Sequence, residues 1–295
     1  MQRLQASDFH PEVMRLFQHY QHGLIDRRAF LAGASRYTVG GVTASALLTA
    51  LSPNYAAAQV VKPDDPRIVT RRVDIPSPQG NGTVRALLVR PANATGKLPG
   101  IVVVHENRGL NPHIEDIARR LALDNFVALA PDALTSVGGY PGTEEAAVAA
   151  FGKLDRPKVY QDFLAAAHWL KAAPECNGKY GAIGFCFGGQ VVNILASQLP
   201  DMIAGVPFYG GPPPAADIPR TKARLLLNFA ANDEFINKGW PAHEAALKAA
   251  GVRYQAFVYP DTQHGFNNDT TPRYKADQAK IAWDRSVAFF NSTLR

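Results

Sequence analysis

The sequence predicts an α/β fold in which a mostly parallel central sheet is flanked by helices. Residues 100–106, GIVVVHE, form a continuous apolar run, which is typical of a strand buried on both faces. After that strand, apolar residues recur at helical spacing between Ile114 and Leu121. Strand and helix patterns alternate in this way up to the C-terminus, and no internal repeat is seen. We therefore expect one α/β domain.

Two segments before the buried strand alternate apolar and polar residues, as strands with one buried face do. They span residues 67–76 and 83–91, and Gln79-Gly80-Asn81-Gly82 lies between them. Glycine and asparagine are the residues that tight turns between antiparallel strands prefer. The pattern therefore predicts an N-terminal antiparallel hairpin.

The rest of the chain alternates strand and helix patterns after the first crossover helix. Predicted strands cover residues 126–130, 180–185, 203–209, 225–229 and 254–259. Predicted helices cover residues 159–171, 188–199 and 241–250, and a last helix is marked by Trp283, Val287 and Phe290. Parallel strands need such crossover helices, so these elements are consistent with the predicted sheet.

Composition excludes several classes of function. The chain of 295 residues has a formal net charge of +6, but its 31 lysines and arginines are scattered and never interleave with aromatic residues as a basic run. We expect no nucleic-acid partner. Its two cysteines, Cys176 and Cys186, are too few for a disulfide framework and lack the paired spacing of a zinc site. We expect no metal and no organic cofactor, and the sequence does not indicate the oligomeric state.

Residues 1–58 differ in composition from the rest and form an N-terminal extension. Residues 26–31, DRRAFL, resemble a twin-arginine export signal, and an uncharged stretch over residues 37–61 contains Ala56-Ala57-Ala58 before Gln59. Pro53-Asn54 interrupts this stretch, so we expect no stable membrane span. These features predict export to the periplasm and cleavage after Ala58.

A retained cytoplasmic extension is the alternative to export. Apolar residues between Val13 and Tyr20 have helical spacing, and the part before the arginines is long for a signal. Residues 59–66, which include the polar sequence KPDDP, suit a linker. The α/β domain is therefore expected to span residues 67–295.

The sequence GFCFG, residues 184–188, lies where a predicted strand passes into a predicted helix. It has the spacing of a nucleophile elbow, with Cys186 at the position of the usual serine. Glycines are needed there because the turn strains the nucleophile's backbone and brings the following helix close. The helix N-terminus also favours a thiolate. Taken alone, the motif equally suits a glycine-rich connection in which the cysteine is a small apolar residue.

Two further polar residues follow predicted strands later in the chain. Asp233 comes after LLLNFA, and His264 comes after YQAFVYP. Nucleophile, acid and histidine in this order are the triad of the α/β-hydrolase fold. His264 would exchange protons with Cys186, and Asp233 would orient the imidazole. The oxyanion would accept hydrogen bonds from the backbone N–H groups of Phe187 and Asn107.

The chain resembles the dienelactone hydrolase family, a cysteine-dependent branch of the α/β hydrolases, from about residue 67 to its C-terminus. The matching features are the GFCFGG elbow, Asp233, the HGF sequence at residues 264–266, FYG at residues 208–210 and ENRGLN at residues 106–111. The resemblance implies that Glu106 contacts the resting cysteine and helps to generate thiolate. It also implies that Asn107 supplies an oxyanion N–H.

The sequence departs from the family where arginines clamp the carboxylate of dienelactone. Residues 265–269, GFNND, contain no arginine shortly after the histidine. We therefore expect neutral esters or lactones to be better substrates than carboxylated ones. Arg108 and Tyr209 are the candidates for contact with substrate, and Arg156 is a further cation that could substitute.

The sequence therefore predicts a carboxylic ester hydrolase that cleaves a small ester or lactone through a thioester on Cys186. A general carboxylesterase or thioesterase is the alternative within the enzymes. A catalytically silent binding protein that keeps the fold is the alternative from another class.

Overall fold

The computed structural model describes residues 4–21, 23–38 and 40–295, so positions 1–3, 22 and 39 of the predicted extension lie outside the described residues. Its centre is an eight-stranded sheet with the strand order β1-β2-β4-β3-β5-β6-β7-β8. The strands are β1 (Ile68–Ser77), β2 (Gly82–Pro91), β3 (Leu98–Val104), β4 (Val127–Pro131), β5 (Cys176–Phe185), β6 (Ala204–Phe208), β7 (Arg224–Asn232) and β8 (Tyr254–Gln263).

The sheet is antiparallel at one edge and parallel elsewhere. β2 pairs antiparallel with both β1 and β4, whereas all pairs from β4 across to β8 are parallel. This confirms the predicted α/β-hydrolase fold with its N-terminal hairpin. Because β3, β5, β7 and β8 run in the same direction, the residues that follow them emerge at one edge of the sheet.

The helices of the domain cover both faces of the sheet. They are α5 (Pro112–Leu123), α6 (Glu144–Phe151), α7 (Arg156–Ala172), α8 (Phe187–Gln198), α9 (Glu234–Asn237), α10 (Trp240–Ala249) and α11 (Ala276–Leu294), and they follow four helices of the extension. Apolar residues of α7, α8 and α10 form one core with the sheet. Residues of α5 and α11 form a second core on the opposite face.

The hairpin turn is held from below by a buried carboxylate. Asn81 donates from its backbone N–H and its side chain to Asp162 on α7, over 2.9 and 2.6 Å. These bonds satisfy polar groups of the turn and tie the antiparallel edge to the helix layer. The predicted hairpin is confirmed, and its two strands end within a residue of the predicted positions.

The extension is helical and has a small core of its own. It contains α1 (Pro11–Gln21), α2 (Arg27–Ala34), α3 (Ala44–Leu51) and α4 (Tyr55–Ala58). The apolar spacing predicted α1, whereas α2 and α3 were not predicted. Its buried apolar residues contact one another, and they are Phe9, Val13, Met14, Phe17, Phe30, Ala34, Leu48 and Leu51. Within the described residues, the helices are all too short or too polar to cross a bilayer.

The link between the extension and the domain is anchored at Val61. The N–H of Val61 donates to Asp116 over 2.7 Å, and its carbonyl accepts from Arg119 over 2.8 Å. Gln59 and Val60, immediately before it, are exposed. The domain therefore holds the chain from Val61 onward, independently of the helices that precede it.

Candidate active site

Cys186 lies at the sharp turn between β5 and α8, where its backbone adopts φ 56° and ψ −114°. Its N–H donates to the carbonyl of Phe208 over 3.1 Å, which holds the turn against β6. A Cβ at Gly184 would lie 2.2 Å from the carbonyl oxygen of Gly188, and one at Gly188 would lie 2.3 Å from that of Val104. Only glycine fits at these two positions, so the spacing found in the sequence has a steric cause.

The ring of His264 lies between Asp233 and Cys186. Its Nδ1 is 2.6 Å from Oδ2 of Asp233, and both side chains are buried, with exposed fractions of 4% and 1%. The other carboxylate oxygen of Asp233 accepts from the N–H of Ile236 over 3.4 Å at the start of α9. The carboxylate is therefore fixed from two sides, and it can hold the imidazole in one orientation and tautomer.

Charge at Cys186 and Asp233 controls the proton affinity of His264. Burial alone would lower its pKa, because it disfavours the imidazolium. The negative charge of an ionised Cys186 and hydrogen bonds to Asp233 and Cys186 oppose burial, and they raise the pKa of His264 to about 10. Over the neutral range, the arrangement therefore favours an imidazolium paired with a thiolate.

The two expected oxyanion donors flank the turn. Phe187 is the first residue of α8, so its N–H has no acceptor within the helix. Asn107 lies in the loop after β3, which runs to the same edge of the sheet. Its side chain donates to the carbonyl of Gln21 over 2.7 Å and accepts from Arg108 over 2.5 Å. The loop that would supply the second donor is therefore held by side-chain contacts.

Glu106 and Cys186 line the same small cavity. Asn268 donates to Oε2 of Glu106 over 2.9 Å, and its own carbonyl oxygen accepts from the N–H of Thr270 over 3.0 Å. Asn268 belongs to the loop that follows His264. The amide therefore sets the position of the Glu106 carboxylate at the rim of the site.

Arg108 and Tyr209 were the candidates for substrate contact, and their surroundings differ. Arg108 is buried and bonds to Glu144 over 3.0 Å, so its charge is already paired. The Tyr209 ring packs against that of His264, with centroids 4.9 Å apart. Burial, followed by the charges of Glu106 and Cys186, raises the pKa of Tyr209 well above its ordinary value. Its hydroxyl has no hydrogen-bond partner among the residues that the structure describes.

Sequence reasoning missed Arg273, which lines the cavity beside Cys186 and His264. Its side chain is 8% exposed, and burial lowers its pKa. The guanidinium packs so closely on Gly265 that a Cβ there would be 2.9 Å from one of its nitrogens. Its Nε has no acceptor, and in the described part of the chain no carboxylate lies within 4 Å of the group. Nothing in the loop's sequence pattern indicates this position.

The cavity at Cys186 is small because the extension covers it. Its volume is about 20 Å³, and Gln21 and Pro53 of the extension form part of its wall. Arg156, the further cation considered from the sequence, is stacked on the rings of Phe151 and Phe187 at 4.0 and 5.1 Å. It is therefore occupied with aromatic contacts next to the elbow.

Comparison with known proteins adds independent evidence. The sequence profile of the dienelactone hydrolase family matches residues 84–294, and a profile described as YqhI-like matches residues 1–39. A protein of Escherichia coli K12 that is named as a carboxymethylenebutenolidase is 31% identical over 248 residues, covering 79% of this chain and 91% of that protein. Another from the same strain, named as the hydrolase fragment YghX, is 58% identical over 104 residues, covering 35% of this chain and 89% of the fragment.

Solved structures give the same family. The crystal structure of a protein from Klebsiella pneumoniae named as a dienelactone hydrolase superimposes with a TM-score of 0.68 at 28% identity, covering 76% of this chain and 98% of that one. Together with the fold and the match over residues 84–294, this similarity identifies the chain as a member of the dienelactone hydrolase family, a hydrolase with the α/β-hydrolase fold.

Proposed function

We propose that this hydrolase cleaves an ester or lactone through a thioester on Cys186, with His264 and Asp233 completing the triad. The observation that carries the proposal is the ring of His264 held 2.6 Å from Asp233 and next to a cysteine in a strained elbow. The raised pKa of His264, about 10, is what a thiolate–imidazolium pair requires. Nucleophilic catalysis by cysteine depends on such a pair.

In the acylation step, Sγ of Cys186 attacks the carbonyl carbon and pushes its electron pair onto the carbonyl oxygen. The N–H groups of Phe187 and Asn107 stabilise the resulting oxyanion. When the carbonyl re-forms, the C–O bond of the ester breaks and the leaving oxygen takes the proton of His264. A lactone would open in the same way, with its leaving hydroxyl still attached to the acyl group.

In the deacylation step, neutral His264 takes a proton from water as that water attacks the thioester. The C–S bond then breaks, and the acid and the thiolate–imidazolium pair are regenerated. Asp233 stabilises the imidazolium in both steps. Glu106 lines the same cavity as Cys186, which supports a role in accepting the thiol proton when the pair first forms.

The first prediction concerns the nucleophile. Cys186→Ala should abolish the covalent route, since loss of a triad nucleophile lowers kcat by on the order of 10⁶. Cys186→Ser should retain little activity, because a hydroxyl is far less acidic than a thiol. Intact-protein mass after quenching with a slow activated ester should reveal one acyl group, mapped to Cys186 by peptide digestion.

Cys176→Ala is the matched control, because Cys176 is buried at the start of β5 and should be dispensable for activity. Full turnover by Cys186→Ala, or an acyl group on another residue, would contradict the mechanism. If no variant or wild-type form ever hydrolyses or accumulates an ester, the chain is a silent binding protein with this fold. If neutral esters of many sizes react equally, it is a general carboxylesterase.

We further propose that the preferred substrate carries a carboxylate close to the scissile bond. The expectation of neutral substrates rested on the missing arginine just after His264, and Arg273 supplies one from later in the same loop. A buried guanidinium without an anion is unfavourable, and a substrate carboxylate would provide the missing partner. The charge of Glu106 acts on Arg273 only at longer range than an ion pair.

The second prediction compares the p-nitrophenyl esters of succinate, which has a free carboxylate, and of butyrate, which is neutral. Arg273→Gln should lower kcat/KM for the succinate ester by about 10- to 100-fold, the value of one charged hydrogen bond. The butyrate ester should change little. Arg224→Gln, at the opposite end of β7, is the control for loss of one positive charge. Equal loss for both esters would mean that Arg273 is structural.

For localisation, we propose export by the twin-arginine route with cleavage after Ala58. The DRRAFL sequence and the exposed Gln59 support it. With the extension docked, Phe30 is buried and Arg27 pairs with Glu145 over 2.5 Å, so recognition of the motif would require an undocked extension. A retained cytoplasmic extension is the alternative.

The third prediction is that native protein has the intact mass of a chain starting at Gln59 and is found outside the cytoplasm. Changing Arg27 and Arg28 to lysine should keep the full-length chain inside, because the export pathway reads the arginine pair. Cell fractionation with intact-mass measurement decides. A full-length cytoplasmic protein in the unchanged strain would establish the retained extension instead.

A further inference from the structure

The first 58 residues, here called the N-terminal segment, contact the edge of the sheet where the catalytic residues meet. The carbonyl of Gln21 accepts from the side chain of Asn107 over 2.7 Å. The side chain of Gln18 lies 3.5 Å from Oδ1 of Asp233. Phe17 packs against the guanidinium of Arg273, with 5.6 Å from its carbon to the ring centroid. The α1 helix therefore reaches three of the loops that form the site.

Other contacts fix the later part of the N-terminal segment over the same edge. The hydroxyl of Tyr55 bonds to Glu144, the residue that also pairs with Arg108. The N–H of Asn54 donates to the carbonyl of Thr270 over 2.8 Å, in the loop after His264. The segment is thus bound on both sides of the catalytic cysteine.

The space left at Cys186 is too small for a substrate. Its volume of about 20 Å³ is enough for one water molecule, whereas small-molecule sites usually measure about 300–1,000 Å³. Gln21 and Pro53 close the cavity from the side of the segment. Displacement of the segment would therefore open the site without any change in the sheet.

The segment is constructed as a separable cover. Its buried apolar residues pack on one another in a core distinct from the two cores of the domain. Its recorded hydrogen bonds to the domain are polar contacts at the rim, and exposed contacts of this kind are weak. The anchor at Val61 belongs to the domain side, so a cut after Ala58 would leave it intact.

We infer that the N-terminal segment is an intramolecular inhibitor that keeps substrate from Cys186 until it undocks or is removed. The inference rests on the proposed function, because it takes Cys186 as the nucleophile. The uncut chain then reacts only through its minor, undocked population. Removal of the segment converts that minor population into the whole sample.

The fourth prediction uses the full-length chain with a site-specific protease sequence inserted between Ala58 and Gln59, measured before and after cleavage. Alkylation of Cys186 by neutral iodoacetamide and hydrolysis of p-nitrophenyl butyrate should both accelerate. A minor state of about 0.1–10% corresponds to an acceleration of about 10- to 1,000-fold. Peptide masses separate Cys186 from Cys176, which is 2% exposed and serves as internal reference.

Two controls make the cleavage result specific. A scrambled insert treated with the same protease should leave both rates unchanged. Uncut chain with Phe30→Asp should react like the cleaved protein, because Phe30 lies only in the segment's own core. Ala32→Asp adds the same charge to an exposed position of α2 and should react like wild type.

The two readouts separate the inference from the proposed function. Faster alkylation with no hydrolysis in either form would support occlusion and refute the thioester mechanism. Equal alkylation rates in the uncut, cleaved and Phe30→Asp chains would overturn the inference, whatever the hydrolysis rate. Limited proteolysis of the segment in Phe30→Asp verifies that it has undocked, so equal rates in that chain count against occlusion.

Discussion

The left-handed backbone of Cys186 is the constraint on which the rest of the site depends. A non-glycine residue at φ 56° is strained, and the surrounding structure must hold it there. The bond from its N–H to Phe208 and the close approach of Gly188 to β3 do so. Both contacts need a parallel sheet with strands on either side of β5. The fold therefore serves to hold one thiol at the tip of a sharp turn.

Burial decides how charge is arranged around that thiol. Asp233 and His264 are almost fully buried and compensate each other, and an ionised Cys186 completes the pairing. Arg273 is equally buried and lacks such a partner, which is why a substrate anion is assigned to it here. Each charged group at this edge of the sheet thus has either an internal partner or a role toward substrate. The N-terminal segment covers both kinds of group.

Sequence reasoning predicted the elements of the sheet and the residues at its strand ends because both follow local patterns. Apolar runs and glycine spacing indicated β3, β5 and the elbow, and chain order indicated Asp233 and His264. Arg273 was missed because its position depends on the path of an irregular loop, which no periodicity encodes. The docking of the segment was missed for a related reason, since contacts such as Gln21 with Asn107 join residues far apart in sequence. Helix α6 was missed because its alanine-rich sequence has only a weak apolar stripe.

The central claim is that Cys186 and His264 form a thiolate–imidazolium pair, and titration of the His264 ring by NMR tests it most directly. The account predicts a pKa of about 10 in the wild type and a lower value in Cys186→Ala, where the largest raising influence is absent and burial remains. Cys176→Ala should leave the wild-type value unchanged. An ordinary histidine pKa in the wild type, or the same pKa with and without Cys186, would contradict the account.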